Sequence, residues 1–234
     1  YVNVRHPSGT TRSYSIASVQ ADDVFLTLYV RRVSDGLMSR WLCDAVRAGD
    51  EVEIQGPVGA CHYLDDIADV PLLMLATGTG FAALLGVARE ALAGGHRAPI
   101  ALYHGVRDAS DLILRDEAMR LAASHPNLTY QPCVSRATAS LPADVALGRV
   151  TEVAFKQHET LRGWMLYACG LPAMVSDARV RAVGAGIERG DIHADPFVTS
   201  APHIPDDNRK LAAIKPDLEL WQALREGDGL TQIL

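Results

Sequence analysis

Two hydrophobic periods divide this chain. From Tyr1 to Tyr63 apolar positions come in short alternating runs broken by turn residues, whereas from Val70 they come in continuous apolar blocks separated by helical stretches. Phe25-Leu26-Thr27-Leu28-Tyr29-Val30 and Glu51-Val52-Glu53-Ile54 read as strands, His6-Pro7-Ser8-Gly9 as a turn, and Gly56-Pro57-Val58-Gly59 as a sharp loop. After Ser34-Asp35-Gly36 the period turns helical, with Leu37, Trp41, Leu42 and Ala45 expected on one face. Later, Pro71-Leu72-Leu73-Met74-Leu75-Ala76, Ile100-Ala101-Leu102-Tyr103-His104, Leu128-Thr129-Tyr130-Gln131 and Trp164-Met165-Leu166-Tyr167-Ala168 read as buried strands. Helices are expected between and after them, over residues 81–93, 110–123 and 172–185. Apolar strands alternating with helices imply a parallel sheet covered on both faces.

The expected fold is therefore α/β plus β. A partial antiparallel β-barrel over residues 1–66 precedes a Rossmann-like parallel-sheet domain over residues 67–200. Because the first residues already alternate and no methionine starts them, the first barrel strands are expected to lie before Tyr1. Residues 201–208 are polar and proline-bearing, which reads as a linker, and residues 218–234 read as an amphipathic helix with Leu220, Trp221, Leu224, Leu230 and Ile233 available for burial. That helix either opens a further domain or docks on the sheet.

Composition narrows the classes. Hydrophobic and charged contents of 48% and 21% are those of a globular domain, and a net charge of -6 gives no basic footprint for nucleic acid. No apolar run is long enough for membrane insertion and the first residues lack a signal-peptide layout, so a cytoplasmic protein is expected. Cys43, Cys61, Cys133 and Cys169 form no Cys-x-x-Cys pair and the histidines no ligand-spaced cluster, so no metal site is expected.

Several short segments carry chemistry. Arg12-Ser13-Tyr14-Ser15 places a guanidinium fork, suited to a pyrophosphate, beside an aromatic ring able to lie against an isoalloxazine, with small hydroxyls on alternating positions; an ordinary edge strand with a solvated arginine reads the same way. Gly36-Leu37-Met38-Ser39 opens a helix at a glycine that admits a phosphate, with Ser39 and first-turn amides as donors; an ordinary capped helix reads the same way. Thr77-Gly78-Thr79-Gly80 joins an apolar strand to a helix, where a dinucleotide pyrophosphate meets helix amides, though without the full Gly-x-Gly-x-x-Gly pattern, or is a tight strand-to-helix turn with no ligand. Arg107, Ser135 and Arg136 follow the next strands and suit a ribose or adenosine phosphate, or are solvated loop residues. Cys169-Gly170-Leu171-Pro172 closes a strand with a thiol placed for a nicotinamide, or with a buried structural cysteine.

In this order, the set resembles the ferredoxin:NADP reductase superfamily over roughly residues 1 to 200. Arg12-Ser13-Tyr14-Ser15 is similar to its Arg-x-Tyr-Ser/Thr flavin motif, which implies that Arg12 binds FAD pyrophosphate, Tyr14 packs on the isoalloxazine and Ser15 bonds near flavin N5. Gly36 and Ser39 match its Gly-x-x-Ser, Gly56-Pro57-Val58-Gly59 its barrel-ending Gly-Pro-x-Gly, and Gly78-Thr79-Gly80 its nicotinamide-nucleotide loop. The usual proline after that loop is replaced here, in Phe81-Ala82-Ala83. Cys169-Gly170-Leu171-Pro172 matches the Cys-Gly-x-Pro whose cysteine sits by the nicotinamide C4, and Phe197 falls where many relatives place an aromatic near the flavin.

The resemblance implies an FAD-dependent oxidoreductase with NADH or NADPH as donor and Ser15 and Cys169 as the residues nearest the chemistry. Its acceptor would be an iron-sulfur or haem partner, fused or separate, with an N-terminal ferredoxin domain as one candidate. A non-catalytic nucleotide-binding or electron-relay subunit with the same fold is the alternative. The last residues are also similar to the opening helices of truncated globins, which implies a globin-fused enzyme consuming nitric oxide or oxygen. Taken alone, the 234-residue chain is expected to hold FAD poorly.

Overall fold

The computed structural model describes residues 1–18, 25–136 and 141–198 fully, and the backbone of residues 212–214 and 230–233. They fall into two compact units, Tyr1–Gly59 with Thr199–Leu234, and Ala60–Val198.

The first unit is antiparallel. Strands β1 (Val2–Arg5) and β2 (Thr11–Tyr14) pair as a hairpin in which Val2 faces Tyr14 and Val4 faces Arg12. His6 N donates to Thr10 O at 2.8 Å across the expected turn, where Gly9 takes a positive φ. Strand β3 (Leu28–Arg31) leads to helix α1 (Leu37–Arg40), which runs on into a π-helical turn at Trp41–Ala45. Strand β4 (Val52–Gln55) returns beside β1. Val2, Val4, Leu28, Val30, Met38, Leu42, Val46 and Val52 form the core of this unit. The π turn adds a residue to the helical repeat. It corrects the expected face: Leu42 is buried with Met38, while Leu37 and Ala45 are exposed and Trp41 half-buried.

The second unit carries the predicted Rossmann-like sheet. Its elements are β5 (Leu72–Thr77), α2 (Gly80–Ala93), β6 (Ile100–Val106), α3 (Arg115–Ser124), β7 (Leu128–Val134), β8 (Ala146–Leu147), α4 (Val150–Gln157), β9 (Met165–Gly170), α5 (Pro172–Ala185) and β10 (Ile192–Pro196). The six strands are parallel in the order β10-β9-β5-β6-β7-β8. Side chains alternate across the sheet, so Leu72, Met74 and Ala76 pack under α2 on one face. Leu73 and Leu75 join residues of α4 and α5 on the other. Helix α3 begins later than expected, since a short 3-10 turn at Ala109–Asp111 and a left-handed Leu114 precede it. There Leu112, Ile113 and Leu114 are drawn into packing against buried clusters, which stops the helical period from reaching back to residue 110.

Two further strands pair in the first unit: β11 (Ala212–Ile214) antiparallel to β4, and β12 (Leu230–Ile233) antiparallel to β3. The linker over 201–208 and the expected helix from 218 as far as 229 lie outside the described residues. At 230–233 strand replaces helix, following Gly229 and carrying the β-branched Thr231 and Ile233. A strand there does not fit the globin helix expected from the sequence.

Candidate functional site

In the first unit, β2 sorts the Arg12-Ser13-Tyr14 segment onto two faces. Arg12 and Tyr14 share one; Ser13 is on the other, where its Oγ donates to Asn3 Oδ1 at 2.7 Å. Tyr14 is half-buried against the core beside Cys43, and burial pushes its hydroxyl up to about 12. Among the described residues, the Arg12 guanidinium donates only to Thr11 O, at 2.8 Å, and meets no carboxylate. A neutral ring beside a guanidinium that no acid neutralises fits an aromatic group carrying a phosphate. Ser15 follows the strand directly and is half-buried.

The turn before α1 is knotted by one hydroxyl. Ser39 Oγ accepts from Val33 N at 3.1 Å and donates to Gly36 O at 3.3 Å, while Gly36 N reaches Val33 O at 3.0 Å. A Cβ on Gly36 would stand 2.5 Å from that oxygen. Ser39, 7% exposed, thus shapes the turn from inside, and the amides of Leu37 and Met38 in the first helical turn have no carbonyl of the preceding turn to bond. Beside it lies an open groove of about 460 Å³ lined by Asp35, Leu37, Arg40, Trp41, Asp44 and Ala45. Arg40 was not singled out from the sequence, and Trp41 was expected only on the apolar face of the helix; the π turn that begins at Trp41 leaves no mark in the hydrophobic period.

The second unit gathers its residues at the carboxyl ends of its strands. Strand β5 has β6 on one side and β9 on the other, so the chain reverses its winding between β5 and β9. Open α/β sheets bind ligands at such a point. Gly78 has φ +56 with nothing within 4 Å of a Cβ built there, leaving an open cradle ahead of α2. Among the described residues the amides of Thr79 and Gly80 meet no protein acceptor. A glycine cradle beside amides that meet no protein acceptor fits a pyrophosphate.

Across the switch point, Cys169 pairs in register with Ala76 on one side and Asp195 on the other. A Cβ on Gly80 would lie 2.6 Å from Cys169 O, so the start of α2 rests on the end of β9. Phe197 N donates to Gly170 O at 2.7 Å, bringing Phe197 to the same edge. Cys169 is 1% exposed, within the cluster that includes Tyr167 and Phe81. Thr77 Oγ1, expected to face a ligand, accepts from Leu171 N at 2.9 Å. One edge further, Ser135 N and Oγ both donate to Val106 O, at 3.0 and 3.2 Å, and Arg136 N donates to Arg107 O at 3.0 Å. Arg107, Ser135 and Arg136 are therefore neighbours, all exposed.

The expected residues thus form two constellations, one in each unit. An antiparallel sheet domain offering a guanidinium and an aromatic ring, followed by a parallel α/β domain with a glycine cradle at its switch point, defines the class of two-domain flavin oxidoreductases. The chain matches the Oxidoreductase FAD-binding domain over residues 1–63 and the Oxidoreductase NAD-binding domain over residues 74–180. It is 34% identical over 197 residues to the ferredoxin--NAD(P)(+) reductase component of the naphthalene 1,2-dioxygenase system of Pseudomonas putida, covering 84% of this chain and 59% of that protein. To the reductase subunit of an aromatic O-demethylase of Amycolatopsis sp. it is 38% identical over 187 residues, covering 78% and 54%. The crystal structure of Amycolatopsis cytochrome P450 reductase GcoB superposes with a TM-score of 0.76 at 35% identity, over 84% of this chain and 60% of that one. The chain belongs to the ferredoxin:NADP reductase superfamily, with an FAD-binding and a NAD-binding domain. It spans a little over half the length of these relatives.

Proposed function

We propose that the protein containing this chain is an FAD-dependent NAD(P)H oxidoreductase that passes electrons to an iron-sulfur or haem partner, fused or separate, in the cytoplasm. The observation that carries it is the open Gly78 cradle packed, through Gly80, on the backbone of Cys169 at the sheet's switch point. Bound FAD supplies the exchange between two-electron donors and one-electron acceptors. The chain's own part is to seat and orient.

Arg12 would hold the FAD pyrophosphate together with the amides of Leu37 and Met38, in the turn that Gly36 and Ser39 shape. Tyr14 offers its ring to the flavin, and its raised pKa keeps it neutral against that apolar surface. Ser15 would hydrogen-bond at flavin N5. Gly78, Thr79 and Gly80 would take the dinucleotide pyrophosphate, and Arg107, Ser135 and Arg136 its adenosine end. Cys169 and Gly170, with Phe197 at the same edge, would bound the nicotinamide; no general base is needed. The acceptor class is supported by the reductase components among the relatives, which serve a naphthalene dioxygenase and an aromatic O-demethylase.

The test is anaerobic mixing of the full natural protein, loaded with FAD, with NADH or NADPH. Loss of the oxidised-flavin absorbance is expected with at least one donor, and an unchanged spectrum with both would overturn the reading.

A further inference from the structure

We propose that Thr77 is a positioning residue whose hydroxyl latches the two nucleotide-facing loops of the second unit to each other, rather than a group that touches the ligand. Its consequence for ligand binding rests on the NAD(P)H reading above; its place in the fold does not.

Thr77 ends β5, in register with Gly105 of β6. Its Oγ1 accepts the Leu171 N–H at 2.9 Å. Leu171 is the N-cap of α5 and is followed by Pro172, so the turn has neither a side-chain cap of its own nor an amide at the first helical position. The hydroxyl from the neighbouring strand accepts from the N–H of the N-cap residue itself, the bond that an N3 side chain makes in a capping box. The fit is tight on one side, where a Cβ on Gly170 would collide with Thr77 Oγ1 and lie 2.6 Å from Thr77 O; on the other, a Cβ on Gly105 would be in ordinary contact with Thr77 Cγ2 at 3.4 Å. The side chain is wedged between two strands that carry no side chain where they meet it.

Through this wedge the strand end leading into Gly78 is tied to the strand end bearing Cys169 and Gly170. Gly80 rests on Cys169 O from the far side of the same turn. Removing the acceptor releases an amide whose residue is 59% exposed, so water replaces the hydroxyl and the spacing of the two loops is no longer fixed. A ligand that touches only the Gly78 cradle would not sense the change. One that reaches both loops would.

The test compares wild type, Thr77→Val and Thr77→Ser in the full natural protein. Valine keeps the shape and removes the acceptor; serine keeps the acceptor. Hydrogen exchange of the Leu171 amide without ligand is expected to rise about tenfold in T77V and to stay near wild type in T77S. Titrations with NAD+ and with ADP-ribose, which lacks the nicotinamide, separate the loops. T77V is expected to weaken NAD+ by about tenfold and ADP-ribose by less than about twofold, with T77S restoring NAD+. Unchanged exchange in T77V would remove the latch. Equal losses for both ligands would make Thr77 a direct ligand group, and no loss for NAD+ would end the positioning role. If wild type bound neither ligand, the NAD(P)H reading and the positioning role would fall together, while exchange would still decide the latch.

Discussion

In the first unit the turn before α1 is closed by a side chain, Ser39, whereas in the second the turn between β5 and α2 is closed by backbone packed on backbone. Both turns face a position suited to a phosphate, yet they resist change differently. A hydroxyl can rotate away from an added methyl group; a carbonyl at the end of a central strand cannot move without moving the sheet. The turn before α1 is therefore the tolerant one and the turn between β5 and α2 the brittle one.

Gly170→Ala is the sharpest way to break this contrast. The new methyl would meet Thr77 Oγ1 and the Thr77 carbonyl at 2.6 Å, at a backbone φ of +127 that side chains rarely adopt. A loss of about 3 kcal/mol in urea unfolding is expected, together with loss of NAD+ binding. A stability within about 0.5 kcal/mol of wild type would show that β9 can give way as a side chain does. Gly36→Ala should cost only about 1 kcal/mol, because φ there is -84 and the collision is with Ser39 Oγ. Adding Ser39→Ala should cost less than the sum of the single changes, since both disturb one contact. Strict additivity would mean that Ser39 does not close the turn.

Much of this contrast was legible in the chain itself. The continuous apolar run of β5 announced a parallel strand, and Pro172 fixed the start of α5. Gly78-Thr79-Gly80 and Cys169-Gly170 could be singled out because glycine beside a strand end has few other uses. Strand β10 escaped notice because Ile192-His193-Ala194-Asp195-Pro196 is half-buried throughout at a sheet edge, and α4 because it has only eight residues. The directions of Ser39 and Thr77 were hidden for a different reason. Each hydroxyl turns inward because of a neighbouring glycine or amide, and the Leu171 amide has no side-chain signature at all. Sequence shows where a hydroxyl is; only packing shows which way it turns.

Gly78→Ala separates strain from collision within the turn between β5 and α2. Nothing lies within 4 Å of its new methyl, so only the left-handed conformation at φ +56 is penalised, by about 1 kcal/mol. NAD+ affinity is nevertheless expected to fall by about tenfold, because the methyl stands in the cradle itself. Full NAD+ affinity in this variant would place the pyrophosphate elsewhere.

Proton uptake gives the smallest effect and locates it in the second unit. His96 bonds Tyr63 through Nδ1 at 3.1 Å, and His158 bonds the Tyr103 hydroxyl through Nε2 at 2.9 Å. Burial holds both rings below the ordinary histidine value of 6.5; at His96 the opposing pull of Asp69 is weaker, and Arg97 adds to the depression. Because the folded pKa values are lowered, the unfolded chain takes up these protons first as pH falls. The stability they contribute is full above about 6.5 and is lost as pH drops from there to the folded values, with no further loss from these groups below them. Asp69 is held below the ordinary carboxylate range by its hydrogen bond from Arg97, so it stays charged throughout that window. Trp164, tilted against His158 at 5.2 Å, should report a shallow fall in thermal midpoint between pH 7 and 5. In His96→Gln/His158→Gln the midpoint should become nearly flat over that range. An unaltered slope in the double variant would mean that His96 and His158 do not set the acid sensitivity of this unit.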